Sequence, residues 1–150
     1  MSVPDRIQSD LTSAMKARDS QRVATLRMVL AAIKNQRVAS GQIGEVSDEQ
    51  ALELVAREAK KRAEAAAAYR GGGREELAAK EESELAIIRE YLPQQLSDDE
   101  LRQVVEEVLA DTAASGPGDL GRVMSEVMPR VKGRADGKRV TAIVRERLSA

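Results

Sequence analysis

The sequence contains neither cysteine nor histidine among its 150 residues. Without cysteine, the chain has no disulfide bond, no thiolate ligand for a metal and no cysteine nucleophile. Without histidine, it lacks the most common general base and metal ligand, so no Ser-His-Asp triad can be assembled from it. We therefore predict no catalytic residue, no metal site and no cofactor. On composition alone, a serine–lysine nucleophile and a Mg²⁺ or Ca²⁺ site made only of carboxylates stay open, although no EF-hand spacing is present.

Aromatic residues are almost absent as well, since Tyr69 and Tyr91 are the only two in the chain. The core must then be built from leucine, isoleucine, valine, methionine and alanine. Such a core suits helices packed closely on one another, and it suits a β-sandwich badly. The composition therefore favours an all-α fold.

Long apolar runs are also missing, because no stretch approaches the roughly 18 apolar residues that a membrane-spanning helix needs. The first ten residues contain Asp5, Arg6 and Asp10, which interrupt any apolar core of a signal peptide. We predict a cytoplasmic protein with no membrane partner.

The net charge of −1 conceals an uneven distribution of charge along the chain. Residues 1–92 carry 15 basic and 15 acidic side chains, and residues 93–120 carry one basic and seven acidic ones. Residues 121–150 reverse this excess, with eight basic and three acidic side chains. A basic stretch at the end of a nearly neutral chain is a candidate anion-binding surface.

Capping residues at intervals divide the chain into helices. Ser2, Asp19, Ser47, Ser97 and Asp119 each precede a run in which apolar residues recur at helical spacing. Glycine or proline follows most of these runs, as is typical of helix ends. No segment shows the alternation expected of a strand.

A short proline-containing segment, residues 92–96, lies where the charge of the chain changes abruptly. Proline stops a helix and favours extended backbone before it, so we interpret this segment as a domain boundary. The pattern predicts a four-helix N-terminal domain, residues 1–92, followed by a small three-helix C-terminal bundle, residues 93–150.

The stretch from Arg130 to Arg139 has the densest set of cations in the chain. Glycines allow unusual backbone angles, and the helix that follows presents free N–H groups, so this loop is suited to a phosphate. The candidate nucleic-acid-binding residues are Arg130, Lys132, Gly133, Arg134, Gly137, Lys138 and Arg139. The alternative is a plain turn with solvated charges, since every helix end offers free N–H groups.

Three other features have simpler interpretations. The basic cluster Arg57, Lys60, Lys61 and Arg62 can be matched by neighbouring glutamates, which predicts a salt-bridged surface, with Glu53 and Glu58 as the partners of Arg57 and Lys61. Gly121 lies inside a helical pattern, where glycine is unfavourable, so we expect close packing against another helix. Met124 and Met128 are spaced as core residues of the same helix, with a methionine-lined groove as the alternative.

Two stretches resemble the motifs of a known family. The run from Tyr91 to Leu101 is similar to the "EYLPxQLSDEEL" linker of the GatB/YqeY family. The runs Asp119–Met124 and Met128–Lys138, with Val140, resemble that family's "DMGKVM…MPKVKGRADGKxV" signature. Leucine, arginine and arginine replace methionine, lysine and lysine at positions 120, 122 and 130, which keeps bulk and charge. The resemblance covers essentially the whole chain.

The resemblance implies a role near tRNA. In this family the same module forms the tail of the B subunit of the glutamine-dependent tRNA amidotransferase, where it helps to hold tRNA while a separate domain does the chemistry. It therefore implies a tRNA-binding module in translation, with tRNA as its partner and amidotransferase subunits as further candidate partners. The alternatives are an accessory that docks on a GatB-like enzyme, a carbon–nitrogen ligase that uses glutamine as amido donor, and a DNA-binding helical module.

Overall fold

The computed structural model describes residues 1–149, and all regular structure within them is helical. The prediction of an all-α fold is therefore confirmed. The α-helices are α1 (Val3–Lys16), α2 (Ser20–Ala39), α3 (Asp48–Gly71), α4 (Glu75–Arg89), α5 (Asp98–Thr112), α6 (Leu120–Val131) and α7 (Gly137–Leu148). A 3-10 turn, Pro117–Asp119, precedes α6. In the part of the chain that the structure describes, no helix is long and apolar enough to cross a membrane.

The residues pack into two compact units, one from Met1 to Leu92 and one that begins at Pro93. The first unit contains α1 to α4, and the second contains α5 to α7.

The predicted capping residues start four of the helices. The side-chain oxygens of Ser2, Asp19, Ser47 and Ser97 each accept a hydrogen bond from a backbone N–H in the first turn. At Ser47 and Ser97 the third helical residue also reaches back to the backbone of the cap, which completes a capping box. These contacts satisfy donors that a helix start otherwise leaves unpaired.

One prediction about α6 holds in part and another is wrong. Asp119 is the N-cap residue of α6, as predicted, but its carboxylate accepts from the backbone N–H of Ser115 at 2.9 Å and not from an N–H of α6. Gly121 is exposed, and a Cβ atom added there would meet nothing within 4 Å. The structure therefore shows no close helix packing as the reason for a glycine at this position.

The core of the first unit is aliphatic, as the lack of aromatics predicts. Its fully buried large side chains are Ile7, Leu26, Val29, Val55 and Ile88. The buried Tyr91 completes this core, and its hydroxyl donates to the carboxylate of Asp10 at 2.5 Å. Burial and this neighbouring carboxylate both raise the pKa of the tyrosine, so the phenol stays protonated.

The basic cluster on α3 differs in part from the predicted salt-bridged surface. Lys61 pairs with Glu58 at 3.2 Å, as expected. Arg62 is largely buried between α3 and α4, where it lies 3.5 Å from Glu58 and 3.1 Å from Glu84. Arg57 forms no ion pair with any described residue, so its predicted match with Glu53 is wrong.

The core of the second unit is dominated by valine. Its fully buried members are Leu101, Val105, Val108, Val123, Val127, Val131, Val140 and Val144. Valine is small, so helices that present it can approach one another closely. Met124 and Met128 are half-buried against this cluster, which confirms their interpretation as core residues.

The cap of α5 makes the second unit sensitive to acid. The backbone N–H and the hydroxyl of Ser97 both hold the pKa of the Glu100 carboxyl below its usual value. A carboxyl whose pKa is lowered on folding stabilises the folded state above its unfolded pKa. That contribution is lost as the pH falls through its folded pKa.

We therefore expect Glu100→Gln to remove part of the acid sensitivity. The melting temperature of the wild type should exceed that of the variant by more at about pH 7 than at about pH 3, because only the wild type loses an ionised cap. Thermal unfolding followed by circular dichroism measures both curves. A melting-temperature difference that is the same at both pH values would contradict this account of the cap.

Candidate nucleic-acid interface

The predicted loop is a tight turn between α6 and α7. The helix ends at Val131, whose carbonyl accepts from the backbone N–H groups of Arg134 at 2.8 Å and Ala135 at 3.2 Å. Gly133 has a φ of +76°, a backbone angle that favours glycine over other residues. Gly137 is the first residue of α7 and has no positive φ, so only one of the two predicted glycines is required by the turn.

An acidic residue occupies the start of α7. Asp136 is its N-cap, and the carboxylate accepts from the backbone N–H of Lys138 at 3.3 Å. From the sequence, this helix start is expected to favour a phosphate. In the structure, the carboxylate already supplies the negative charge that the helix dipole attracts. Any anion that binds here must therefore be held mainly by side chains.

The turn is fastened to the extended segment before α5. Residues 93–97, which we call the linker segment, lie against residues 131–139. Four hydrogen bonds join them: Leu96 N–H to Arg134 C=O at 2.8 Å, Gln95 Nε2 to Gly133 C=O at 3.0 Å, Arg134 Nε to Gln94 C=O at 3.2 Å, and Arg139 Nη2 to Leu96 C=O at 2.9 Å. Two of the predicted binding residues, Arg134 and Arg139, thus have structural contacts that their position in the sequence did not reveal.

The acidic and basic stretches of the chain neutralise each other within the second unit. Arg139 also donates to the Asp98 carboxylate at 2.8 Å, which holds the pKa of that carboxyl below its usual value. Two further ion pairs join α5 to α6 and α7: Asp111 with Arg130 at 3.3 Å, and Glu106 with Arg147. The uneven charge of the sequence therefore does not produce an uninterrupted cationic surface.

Two cations on α7 differ from the rest. Lys138 and Arg145 are exposed, and neither forms an ion pair with any residue in the described range 1–149. They are seven residues apart, so they share one face of the helix at a separation of about 10 Å along its axis. Lys132 is exposed in the turn that precedes them. Arg145 is missing from the predicted set, although its helical spacing from Lys138 was a usable signal.

The seven predicted residues thus fall into four groups. Gly133 and Gly137 shape the turn and the start of α7, Arg134 and Arg139 hold the linker segment, and Arg130 pairs with α5. Lys132 and Lys138 remain exposed at the turn and the first turn of α7. Within residues 1–149, no group of acidic side chains is arranged to hold a metal ion.

Comparison with known proteins identifies the family to which the chain belongs. The family described as Yqey-like protein matches residues 4–148. Altered inheritance of mitochondria protein 41, mitochondrial, from Pyrenophora tritici-repentis is 27% identical over 148 residues, which cover 97% of this chain and 80% of the relative.

A second relative is part of an amidotransferase. One of the subunits of glutamyl-tRNA(Gln) amidotransferase from Thermococcus gammatolerans is 35% identical over 57 residues, which cover 35% of this chain and only 9% of that much longer protein. The family model, by contrast, extends over nearly the full chain. The chain therefore belongs to the Yqey-like protein family, which confirms the resemblance that its linker and C-terminal motifs indicate.

Proposed function

We propose that the protein is a tRNA-associated binding module without chemistry of its own. The observation that carries this proposal is the similarity to a protein named as part of glutamyl-tRNA(Gln) amidotransferase. Because the similarity covers only 9% of that relative, we propose for this chain the association with tRNA and not the catalytic activity. We also propose a cytoplasmic location, whereas the fungal relative is named as mitochondrial.

The charges of the second unit support phosphate contacts as the mode of binding. Lys138 and Arg145 present two cations on one face of α7, with Lys132 exposed in the adjoining turn. Residues 93–150 contain no aromatic side chain, so bases cannot stack on this unit. Binding through phosphates is independent of nucleotide sequence and weakens steeply with salt.

A second candidate function is that of an accessory protein docking on a GatB-like enzyme. The similarity to an amidotransferase subunit favours it, because a protein named as a subunit works in an assembly with others. A third candidate, a carbon–nitrogen ligase in its own right, is the least supported, because the chain has no histidine or cysteine to activate glutamine.

We also propose that the two units are separate domains, four helices in residues 1–92 and three in residues 93–150. The linker segment that begins the second unit makes its hydrogen bonds to the α6–α7 turn of that same unit. Each unit also has its own apolar cluster.

The first expected outcome concerns tRNA affinity. The double change Lys138→Gln with Arg145→Gln should weaken binding to all tRNAs alike and lower the slope of log affinity against log salt by roughly two units, one for each lost phosphate contact. Fluorescence anisotropy with labelled total tRNA at several salt concentrations measures both quantities. Duplex DNA of matched length tests whether the binding is selective for tRNA.

Two other variants separate binding from folding. Lys80→Gln with Arg89→Gln removes two exposed charges from α4 and should leave affinity unchanged. Arg134→Ala should lower the melting temperature, because it removes the hydrogen bond to Gln94, and so it is a poor probe of binding. If the Lys138 and Arg145 double variant binds tRNA with the affinity and salt slope of the wild type, phosphate binding by this face is refuted.

Enzymatic activity gives an independent check. The purified protein alone should release no ammonia from glutamine and should transfer none to Glu-tRNA in the presence of ATP. The physical reason is the absence of histidine and cysteine from the whole sequence. Ammonia production well above that of a heat-inactivated sample would overturn the non-catalytic interpretation.

The domain proposal is tested by dividing the chain. A fragment of residues 93–150 should give a helical circular dichroism spectrum and a cooperative melt, although a domain of about 60 residues is only marginally stable. Its linker segment and its valine core are intact in such a fragment. A fragment that is unfolded at low temperature, while the full chain is folded, would show that the units depend on each other.

A further inference from the structure

Helix α2 has an unusual charge. Its 20 residues contain four cations, Arg22, Arg27, Lys34 and Arg37, and no carboxylate. Arg22 is neutralised by Asp19 and by Glu90, at 3.6 and 2.8 Å. The other three have no carboxylate partner among residues 1–149. The outer surface of α2 is therefore electropositive.

The same helix leaves an apolar stripe uncovered. Met28, Ala31, Ala32 and Ala39 recur at helical spacing on the side of α2 that faces α3, with Asn35 between them. Met28 is 42% exposed, and Val38 beside the stripe is 68% exposed. Adjacent exposed apolar side chains on a charged helix are typical of a surface that binds another protein.

This stripe forms one wall of a groove whose other wall is α3. Two adjoining cavities of about 510 and 410 Å³ share Gln36, Leu54 and Arg57. We call them together the α2–α3 groove. The first cavity is lined by the apolar residues of α2 and Leu54 on one part, and by Asn35, Gln36, Arg57 and the Glu58–Lys61 pair on the other. The second is lined mainly by polar side chains, from Gln36, Ser40, Gln42, Gln50 and Glu53. Both volumes fall within the range of ordinary binding sites.

Arg57 lies where the two cavities meet. This arginine is exposed and forms no ion pair with any described residue, in contrast to the neighbouring Lys61 and Arg62. A planar guanidinium is well suited to a carboxylate, which it can bind through two parallel hydrogen bonds. A ligand in the groove thus meets an unpaired cation beside an apolar wall.

We propose that the α2–α3 groove binds an acidic amphipathic helix of a protein partner. The apolar side chains of that helix pack against Met28 and the alanines, which are small enough for close approach, and its carboxylates meet Arg57. Helices that bind in grooves use anchors at such spacing. A nucleic acid fits less well, because an apolar stripe offers nothing to phosphates and no aromatic ring lines the groove. This surface belongs to the first unit, and the proposal does not depend on tRNA binding by the second.

The test uses a defined probe and the full chain. The probe is a fluorescein-labelled peptide of about 18 residues of leucine, alanine and glutamate, long enough to form a helix on binding, with leucines at positions i, i+3, i+4 and i+7. A scrambled peptide of the same composition lacks the stripe, and a version with lysine in place of glutamate reverses the charge. We expect the wild type to bind only the first peptide, with an affinity that falls as salt is added.

Three variants locate the binding. Arg57→Glu reverses the charge between the two cavities, and Ala31→Glu places a carboxylate on the apolar stripe; each should weaken peptide binding about tenfold or more, because like charges then oppose each other. Lys80→Glu makes the same charge change as Arg57→Glu on the exposed surface of α4, outside the groove, and should bind the probe as the wild type does. Circular dichroism melts show whether each variant is folded. If Arg57→Glu is unstable, Ala31→Glu still tests the groove, because glutamate is compatible with a helix.

The proposal is supported only if the probe binds and both groove variants weaken it. It is overturned if the wild type does not bind the probe, or if the scrambled peptide binds equally well. Binding that neither Arg57→Glu nor Ala31→Glu weakens also overturns it. If tRNA displaces the probe and Arg57→Glu weakens tRNA binding instead, the groove is a nucleic-acid surface and the protein-partner proposal is wrong.

Discussion

The hydrogen bond from the Leu96 N–H to the Arg134 carbonyl joins two parts of the second unit that are far apart in sequence. One is the extended linker segment, and the other is the turn between α6 and α7. Two arginine side chains extend this contact to the carbonyls of Gln94 and Leu96. The direction of α5, which begins immediately after the linker segment, depends on this fastening, and so do its ion pairs with α6 and α7.

In this folded arrangement, fewer basic residues of the second unit are available to an anion than the sequence suggests. A cationic stretch suggests an anion-binding surface when it is considered alone. In the folded unit, Arg130, Arg139 and Arg147 face acidic residues of α5, so much of their charge is already compensated. The cations that remain on α7 are Lys138 and Arg145, which gives the tRNA proposal a narrower and more testable surface.

Local rules account for what could be predicted from the sequence. The caps at Ser47 and Ser97 and the apolar spacing of the cores depend on residues three or four positions apart, so the sequence shows them directly. The burial of Arg62 between α3 and α4, and the contacts of Arg134 with the linker segment, depend on how distant elements pack. Gly121 is a case where the local pattern misleads. Its position inside a helical pattern predicts close helix packing, but a Cβ atom added there would meet no other residue.

The two units present different surfaces to a partner. The second unit has a small number of uncompensated cations, which suit phosphates, and no aromatic residue on which bases could stack. The first has an electropositive helix beside the α2–α3 groove, where we propose that an acidic protein segment binds. Under these two proposals, the protein would bring together a nucleic acid and a protein through separate surfaces.

Hydrogen exchange at the Leu96 amide tests the central claim most directly. If the linker segment is fastened to the α6–α7 turn, this amide exchanges far more slowly than those of Gln94 and Gln95, whose backbone N–H groups have no partner among the described residues. Arg134→Ala should speed its exchange while leaving the amides of α1 and α2 unchanged. Exchange of Leu96 at the rate of its two neighbours in the wild type would contradict the account.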